Sequence, residues 1–276
     1  MAIGMLQELL FESGSADPTA PVTASSKSQR KAPAIDQIGR TAGAFASCPA
    51  TPNPMSYFLT GPKAMVEAAG GVAEVFAVDI ADENAVKAMV EAEVAAFGKL
   101  GFAVNGASIE TKKGMIWEMP TKNFHEVLDI DLYGTFYCIR EEAKQMVEQG
   151  HGGSIVNFSS GAATIGCYGM TPYACAKAGV NSITKSAALD LGPHNVRVNA
   201  VLPGMTKTPM ILAFKSHFPD MYDQMERQIP LGRLAEPEEQ ANVALFLCSE
   251  LSSDITGELI EVDGGYLAGR YERVSE

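Results

Sequence analysis

Ser160 stands thirteen residues before Tyr173, and Tyr173 stands four before Lys177. In the run Tyr173-Ala-Cys-Ala-Lys177 the helical repeat stacks the phenol and the ammonium on one face. A free phenol has a pKa of ~10, too high for easy proton exchange at neutral pH. A cation one turn away favours the phenolate and pulls that value down toward the working range. With the Ser160 hydroxyl at hand for an oxygen on which charge builds, the three residues read as a proton-transfer device. The plain alternative is an amphipathic helix with a surface lysine, preceded by a serine that caps a strand end.

Other chemistries are less well supported by residue spacing. The four histidines (His125, His151, His194, His217) form no metal-ligand pattern, so no metal site is expected. The five cysteines (Cys48, Cys138, Cys167, Cys175, Cys248) have no paired spacing, which suits reduced thiols and a cytoplasmic location. Lys+Arg 21 against Asp+Glu 33 gives a net charge of −12, which argues against a nucleic-acid or anionic-membrane partner. No apolar run approaches the ~20 residues needed to span a bilayer. The segment Met1–Phe11 is apolar but lacks a basic leader and makes a poor signal peptide.

The elements that must position these side chains alternate between strand and helix. With 276 residues and 46% apolar content the chain can bury a substantial core. Residues 13–34 are rich in Ser, Thr, Pro and Ala, so 1–34 is expected to be a flexible leader and 35–276 the folded domain. Strands are expected at Val75–Val78, Phe102–Val104, Ser154–Phe158, Val196–Leu202 and Glu258–Val262. Helices are expected over Glu83–Phe97, stopped by Gly98, and over Phe124–Val147, stopped by Gly150. A further helix opens at Pro172 and closes at Gly192-Pro193. The alternation predicts one α/β domain, a doubly wound, Rossmann-like parallel sheet that binds ligands at the carboxyl ends of its strands. Asn105, Ser160 and Pro203-Gly204 all fall at such ends.

From about residue 66 to 268 the chain resembles the short-chain dehydrogenase/reductase family. Tyr173-x-x-x-Lys177 is similar to the family's catalytic pair, and Ser160 in Asn157-Phe-Ser-Ser160 stands at its catalytic serine. Val78-Asp79-Ile80 is similar to the acidic position that contacts the adenine amine. Val104-Asn105-Gly-Ala107 resembles the Asn-Asn-Ala-Gly turn that stabilises the sheet and lines the cofactor. Pro203-Gly-Met-Thr206-Lys-Thr208 looks like the loop beside the nicotinamide carboxamide, and Val262-Asp-Gly-Gly265 like the tight turn after the last strand. Asp79 is also readable as the N-cap of the helix that begins near Asp82, and Asn105 as a purely structural residue.

The resemblance implies an NAD(P)-dependent oxidoreductase that interconverts a carbonyl and an alcohol on a small to medium, fairly apolar substrate. It implies Tyr173 as general acid/base, Ser160 as hydrogen-bond donor to the substrate oxygen, and Lys177 as both the group that lowers the Tyr173 pKa and a ribose ligand. Met210, Met221 and Met225, with Phe214 and Phe218, lie in the segment 206–230 that covers the substrate in this family, and Met205 directly precedes it. The helices over Phe124–Val147 and around Tyr173 resemble the family's dimer-forming helices, so a homodimer or homotetramer is expected.

Three features depart from the family pattern. The phosphate-binding turn aligns only with Ala32-Pro33-Ala-Ile-Asp36-Gln37-Ile38-Gly39. Ile38 and Gly39 fit as cofactor contacts, but Pro33 and Gln37 replace two glycines, and proline has no N–H to offer a pyrophosphate. Met55–Leu59 is read as the second strand, and no acidic residue ends it to hold a ribose diol. Lys63 is then available for a 2′-phosphate, a lean toward NADP over NAD that Asp36 in the turn opposes. Asp131 takes a place that is usually asparagine, whose amide helps hold a water near the catalytic lysine. A carboxylate there would hold Lys177 more firmly cationic. The altered turn leaves a second reading open, a catalytically impaired scaffold or interaction protein with weak cofactor binding.

Overall fold

Apolar β-branched runs bounded by glycine, Asx and proline punctuation close into a parallel sheet with helices on both faces. The computed structural model describes residues 63–271, apart from 69 and 110. The expected leader at 1–34, the turn at 32–39 with Ile38, and the strand at Met55–Leu59 lie outside the described residues. In chain order the named elements are α1 (Glu83–Phe97), β1 (Phe102–Asn105), α2 (Thr121–Leu128), α3 (Thr135–Gln149) and β2 (Gly153–Phe158). They continue with α4 (Thr171–Leu191), β3 (Val196–Pro203), α5 (Pro209–His217), α6 (Pro219–Arg227), α7 (Pro237–Cys248) and β4 (Leu259–Val262). A short helical stretch at 63–68 precedes them.

The strands pair in the order β1-β2-β3-β4, all parallel, with Asn105 opposite Asn157 and Phe158 opposite Val201. Side chains alternate across the sheet. Ile155 and Val198 join one core with Val86, Met89, Cys138, Ile139 and Met146 of α1 and α3 and Ala188 of α4. Their neighbours Val156 and Val201 point the other way, onto Ala241, Ala244 and Leu247 of α7. Each fully buried Val or Ile in these layers contributes about 1.5–3 kcal/mol. This is the doubly wound α/β arrangement that the alternation implies. No helix among the described residues is long and apolar enough to cross a membrane.

Local chemistry sets most boundaries. The Asp82 carboxylate accepts from the N–H of Asn84 at 2.9 Å and of Ala85 at 3.3 Å, which starts α1, and Gly98 at φ 82° ends it. Asp82 is therefore the N-cap, and Asp79 instead accepts from Ala81 N at 3.0 Å inside the preceding turn.

Two expected elements differ. Val75–Val78 forms no strand among the described residues; only Val78 takes part in a bridge. The single helix expected over Phe124–Val147 is instead α2 and α3 joined by a π-helical stretch, Asp129–Gly134. The wide turn holds one extra residue and changes which side chains face inward, so Asp131 and Gly134 are both buried. Close packing holds the stretch in place. A Cβ on Gly134 would lie 2.7 Å from Ile80 Cδ1, and one on Gly179 of α4 would lie 2.6 Å from Leu132 Cδ1.

Candidate active site

The carboxyl ends of β1, β2 and β3 bring the site residues to one edge of the sheet. Ser160 follows β2 in extended backbone, and its Oγ accepts from Ala162 N at 3.1 Å, capping a 3-10 turn at Gly161–Ala163. Pro172 fits the first turn of α4, where no intrahelical N–H is required, and the helix then carries Tyr173 and Lys177 one turn apart. The Ser160 hydroxyl is near enough to the Tyr173 phenol to lower its pKa. The Lys177 Nζ lies over the Tyr173 ring, 5.6 Å from its centroid. The three residues grouped by sequence spacing are thus brought together.

Lys177 is 2% exposed. Its Nζ donates to Phe158 O at 3.2 Å and stands 3.8 Å from Asp131 Oδ2. Asp131 is fully buried, with Oδ2 accepting from Ser108 Oγ at 2.5 Å and Oδ1 from Ile109 N at 2.9 Å. Burial pushes the Asp131 carboxyl up and the Lys177 ammonium down, and in each case the partner's charge opposes the shift.

Tyr173 departs from the sequence expectation. Burial holds its phenol above the ordinary value, the Ser160 hydrogen bond pulls it back, and the Asp131 carboxylate and Cys167 push it further up. The lysine one turn away faces the ring and is engaged by an aspartate, so desolvation outweighs it.

The expected cofactor residues divide by what their side chains touch. Asn105 Nδ2 donates to Glu142 Oε2 at 2.9 Å and to Asn157 Oδ1 at 3.1 Å, so its amide is spent inside the protein. Asp79 is exposed beside α1. Thr206 and Thr208 are each 5% exposed. The Thr206 hydroxyl donates to Gly204 O and accepts from Gln240 Nε2, while Thr208 Oγ1 accepts from Ile211 N at the start of α5. Lys63 pairs with Glu74 at 3.1 Å and with Glu67 at 3.9 Å, so its ammonium already faces two carboxylates.

The donor set at the lysine suits a nicotinamide cofactor. An ammonium has three N–H groups. Phe158 O and Asp131 engage two sides of Lys177 Nζ, which leaves one N–H for a ribose hydroxyl beside the Tyr173 phenol. Three neighbours escaped the sequence reading: Phe158 O, Ser108 and Cys167. The one signal for Ser108 was its place directly after the Val104–Ala107 turn.

α5 and α6 lie in the segment 206–230 that the family resemblance expects to cover the substrate. Tyr222, Ile229 and Leu234 make a small core there, with Met205 and Ile211 packed against it. Phe218 and Met221 are more than half exposed, as are Trp117 and Tyr168 on the loops after β1 and β2. The loop carrying Trp117 is tied to the one carrying Tyr168 through Gly114 N, which donates to Gly169 O at 3.0 Å.

Residues 60–267 match a family profile described as Enoyl-(Acyl carrier protein) reductase. The chain is 39% identical over 206 residues to 2,5-dichloro-2,5-cyclohexadiene-1,4-diol dehydrogenase of Sphingobium indicum, which covers 75% of this chain and 82% of that one. It is 41% identical to trans-4-hydroxycyclohexanecarboxylate dehydrogenase of Sinomonas cyclohexanicum, over 69% of this chain and 70% of that one. The crystal structure of NAD+-bound xylitol dehydrogenase superposes with a TM-score of 0.71 at 30% identity, covering 75% of this chain and 84% of that one. Sequence, fold and the Ser160–Tyr173–Lys177 geometry agree: the chain belongs to the short-chain dehydrogenase/reductase family, NAD(P)-dependent oxidoreductases that interconvert carbonyls and alcohols.

Proposed function

We propose that the protein interconverts a ring alcohol and the matching ketone, with Tyr173 moving the hydroxyl proton. The observation that carries this reading is the buried Lys177 ammonium over the Tyr173 ring, with Ser160 near enough to act on the phenol. In the reductive direction the Tyr173 phenol, held protonated by its burial, donates to the carbonyl oxygen. Ser160 donates to the same oxygen while negative charge gathers on it. Lys177, anchored on Phe158 O and Asp131, holds the ribose and a fixed positive charge beside the phenol. The nicotinamide supplies or accepts the hydride.

The ring substrate is inferred from the relatives' names together with the exposed apolar side chains Trp117 and Tyr168 on the loops after β1 and β2, and Phe218 and Met221 in the segment 206–230; such side chains, gathered at a rim, would fit it. Such a rim suits a small, mostly apolar molecule. The scaffold reading is not favoured, since the similar proteins are named dehydrogenases and reductases. For the choice between NAD and NADP, the lean toward NADP rests on Lys63, which would have to leave Glu74 and Glu67 to meet a 2′-phosphate. Of the proposed cofactor residues, Thr206 and Thr208 act by shaping the loop, and Asp79 is exposed for an adenine amine. Ile38 belongs to the phosphate side.

We propose further that a second copy covers the outer face of α3 and α4, forming a cytoplasmic homodimer or homotetramer. An open apolar cleft there is lined by Leu132, Tyr133, Phe136, Tyr137 and Ile183, with Tyr133 47% exposed. Light scattering on the purified protein tests this, and a monomer at micromolar concentration would refute it.

The activity test is oxidation of cyclohexanediols and 4-hydroxycyclohexanecarboxylates with each nicotinamide, in the wild type and in Tyr173→Phe. Wild-type turnover that the variant loses while keeping its melting temperature supports the mechanism. Undiminished turnover in the variant would rule it out. Titration with NADH and NADPH, followed by nicotinamide fluorescence, decides the cofactor.

A further inference from the structure

Asp131 is a fully buried carboxylate at a functional edge, and every contact it makes is accounted for. Lys177 faces it from α4, and Ser108 and Ile109 face it from the loop after β1. Tyr173 lies within reach of its charge, and Cys167 within reach of Tyr173. These are the charged and titratable groups that act on it among the described residues. A buried carboxylate in this setting gains a proton unless donors stabilise the anion. Of the two donors, the Ile109 amide belongs to the backbone, whereas the Ser108 hydroxyl is a side-chain choice. It lies just past the Val104–Ala107 turn, on the loop after β1. At 2.5 Å the Ser108 Oγ to Asp131 Oδ2 contact has the length of a hydrogen bond from a hydroxyl to an anionic oxygen.

We propose that Ser108 is a positioning residue for the reaction: it holds Asp131 as an oriented anion, and Asp131 in turn holds Lys177 in place as a cation beneath Tyr173. The inference rests on the reading that Tyr173 and Lys177 handle the proton. Ser108 touches neither substrate nor cofactor in this arrangement. The residue pair does by charge what a lone amide at position 131 would do through a water. Without the Ser108 hydroxyl the anion loses one of its two donors, and Asp131 takes up a proton at a higher pH than in the wild type. Lys177 then loses its counter-charge as the medium is acidified, and activity falls earlier on the acid side.

The test is the pH profile of kcat/KM for carbonyl reduction, in which the Tyr173 phenol stays protonated, in Ser108→Ala, Ser108→Thr, Asp131→Asn and Ser108→Ala/Asp131→Asn. A second readout is melting temperature against pH for the protein without cofactor. In Ser108→Ala the acid limb of the kcat/KM profile should move up by about one to two pH units, the worth of a hydrogen bond to a charged group, and the melting temperature, which a raised carboxyl lowers as pH rises, should go on falling to a correspondingly higher pH. Ser108→Thr keeps the hydroxyl and should restore the wild-type limb. Asp131→Asn should remove the limb, and the Ser108→Ala change should then have no further effect on it. A Ser108→Ala variant that loses activity or stability equally at every pH would show a packing role and overturn the proposal. The Tyr173→Phe result is independent: turnover surviving in that variant sinks the proton-transfer reading, whatever Ser108 does.

Discussion

Gly204 and Asp263 meet so closely that a Cβ on Gly204 would lie 2.6 Å from the Asp263 Cα. The contact joins the end of β3 to the turn after β4, and Gly204 N donates to Val262 O at 3.0 Å beside it. Asp263 fixes the rest of that turn, with its carboxylate accepting from Gly265 N at 2.8 Å and Leu267 N at 2.7 Å. Leu267 in turn lies against Gly161, next to Ser160. The obstacle to a side chain at 204 is backbone, which cannot swing aside. Gly204→Ala should therefore cost about 1–3 kcal/mol, as overpacking does. For a chain of this size that lowers the melting temperature by roughly 2–4 °C per kcal/mol, read by calorimetry. A variant that melts with the wild type would show that the two segments part freely.

The direction of the Tyr173 shift sets a pH dependence. Its phenol is held above ~10 by burial, so the base form needed for alcohol oxidation is scarce at neutral pH. Oxidation should rise steadily from pH 7 to pH 10, and carbonyl reduction, which needs the phenol protonated, should stay flat over the same range. Initial rates in both directions, corrected for cofactor stability, check this. An oxidation profile already level at pH 7 would mean that the phenol titrates below neutrality.

What the sequence made legible was local. Asp82 and Gly98 bound α1 because a cap and a left-handed residue act on their own neighbours. Ser160, Tyr173 and Lys177 were readable because a strand end and one helical turn bring them together. What escaped depends on distant partners. The π-helical stretch is one such case, since its apolar spacing still reads as an ordinary helix and the extra residue is stabilised by Ile80 and Gly179. The sign of the Tyr173 shift is another: the lysine was visible in the sequence, but the burial and the counter-charge of Asp131 were not.

Glu142 makes stability depend on pH. Burial pushes its carboxyl up to about 7, while the hydrogen bond from Asn105 pulls it down. Glu93, raised to about 8 by burial and by Glu142, lies nearby. The folded chain binds the Glu142 proton more tightly than the unfolded chain does. This contribution to stability is therefore complete below about 4.5, and it is lost as pH rises through about 7. Glu142→Gln keeps an acceptor for Asn105 and removes the titration. The variant should be more stable than the wild type at pH 8, by up to about 3 kcal/mol, with the advantage gone near pH 4.5. Urea titrations at the two pH values measure it. A variant less stable at both would show that the carboxylate is held by favourable contacts.

Asn105 separates a structural role from a cofactor role at the end of β1. Its amide bridges Glu142 on α3 and Asn157 on β2, and Asn157 continues to Thr184 on α4 at 3.0 Å. The chain of bonds crosses the buried face from α3 to α4, so the residue ties together both helices that flank the site. Asn105→Ala leaves two buried acceptors without a donor, at a cost of about 1–3 kcal/mol for each group left unsatisfied. Stability should fall by that order, while the KM for the nicotinamide changes less than threefold, because the side chain points into the protein. The reverse pattern, with the melting point intact and cofactor affinity down tenfold or more, would mean that the amide turns outward to the cofactor. Measuring unfolding and cofactor KM on the same variant distinguishes the two, and the present geometry favours the structural role.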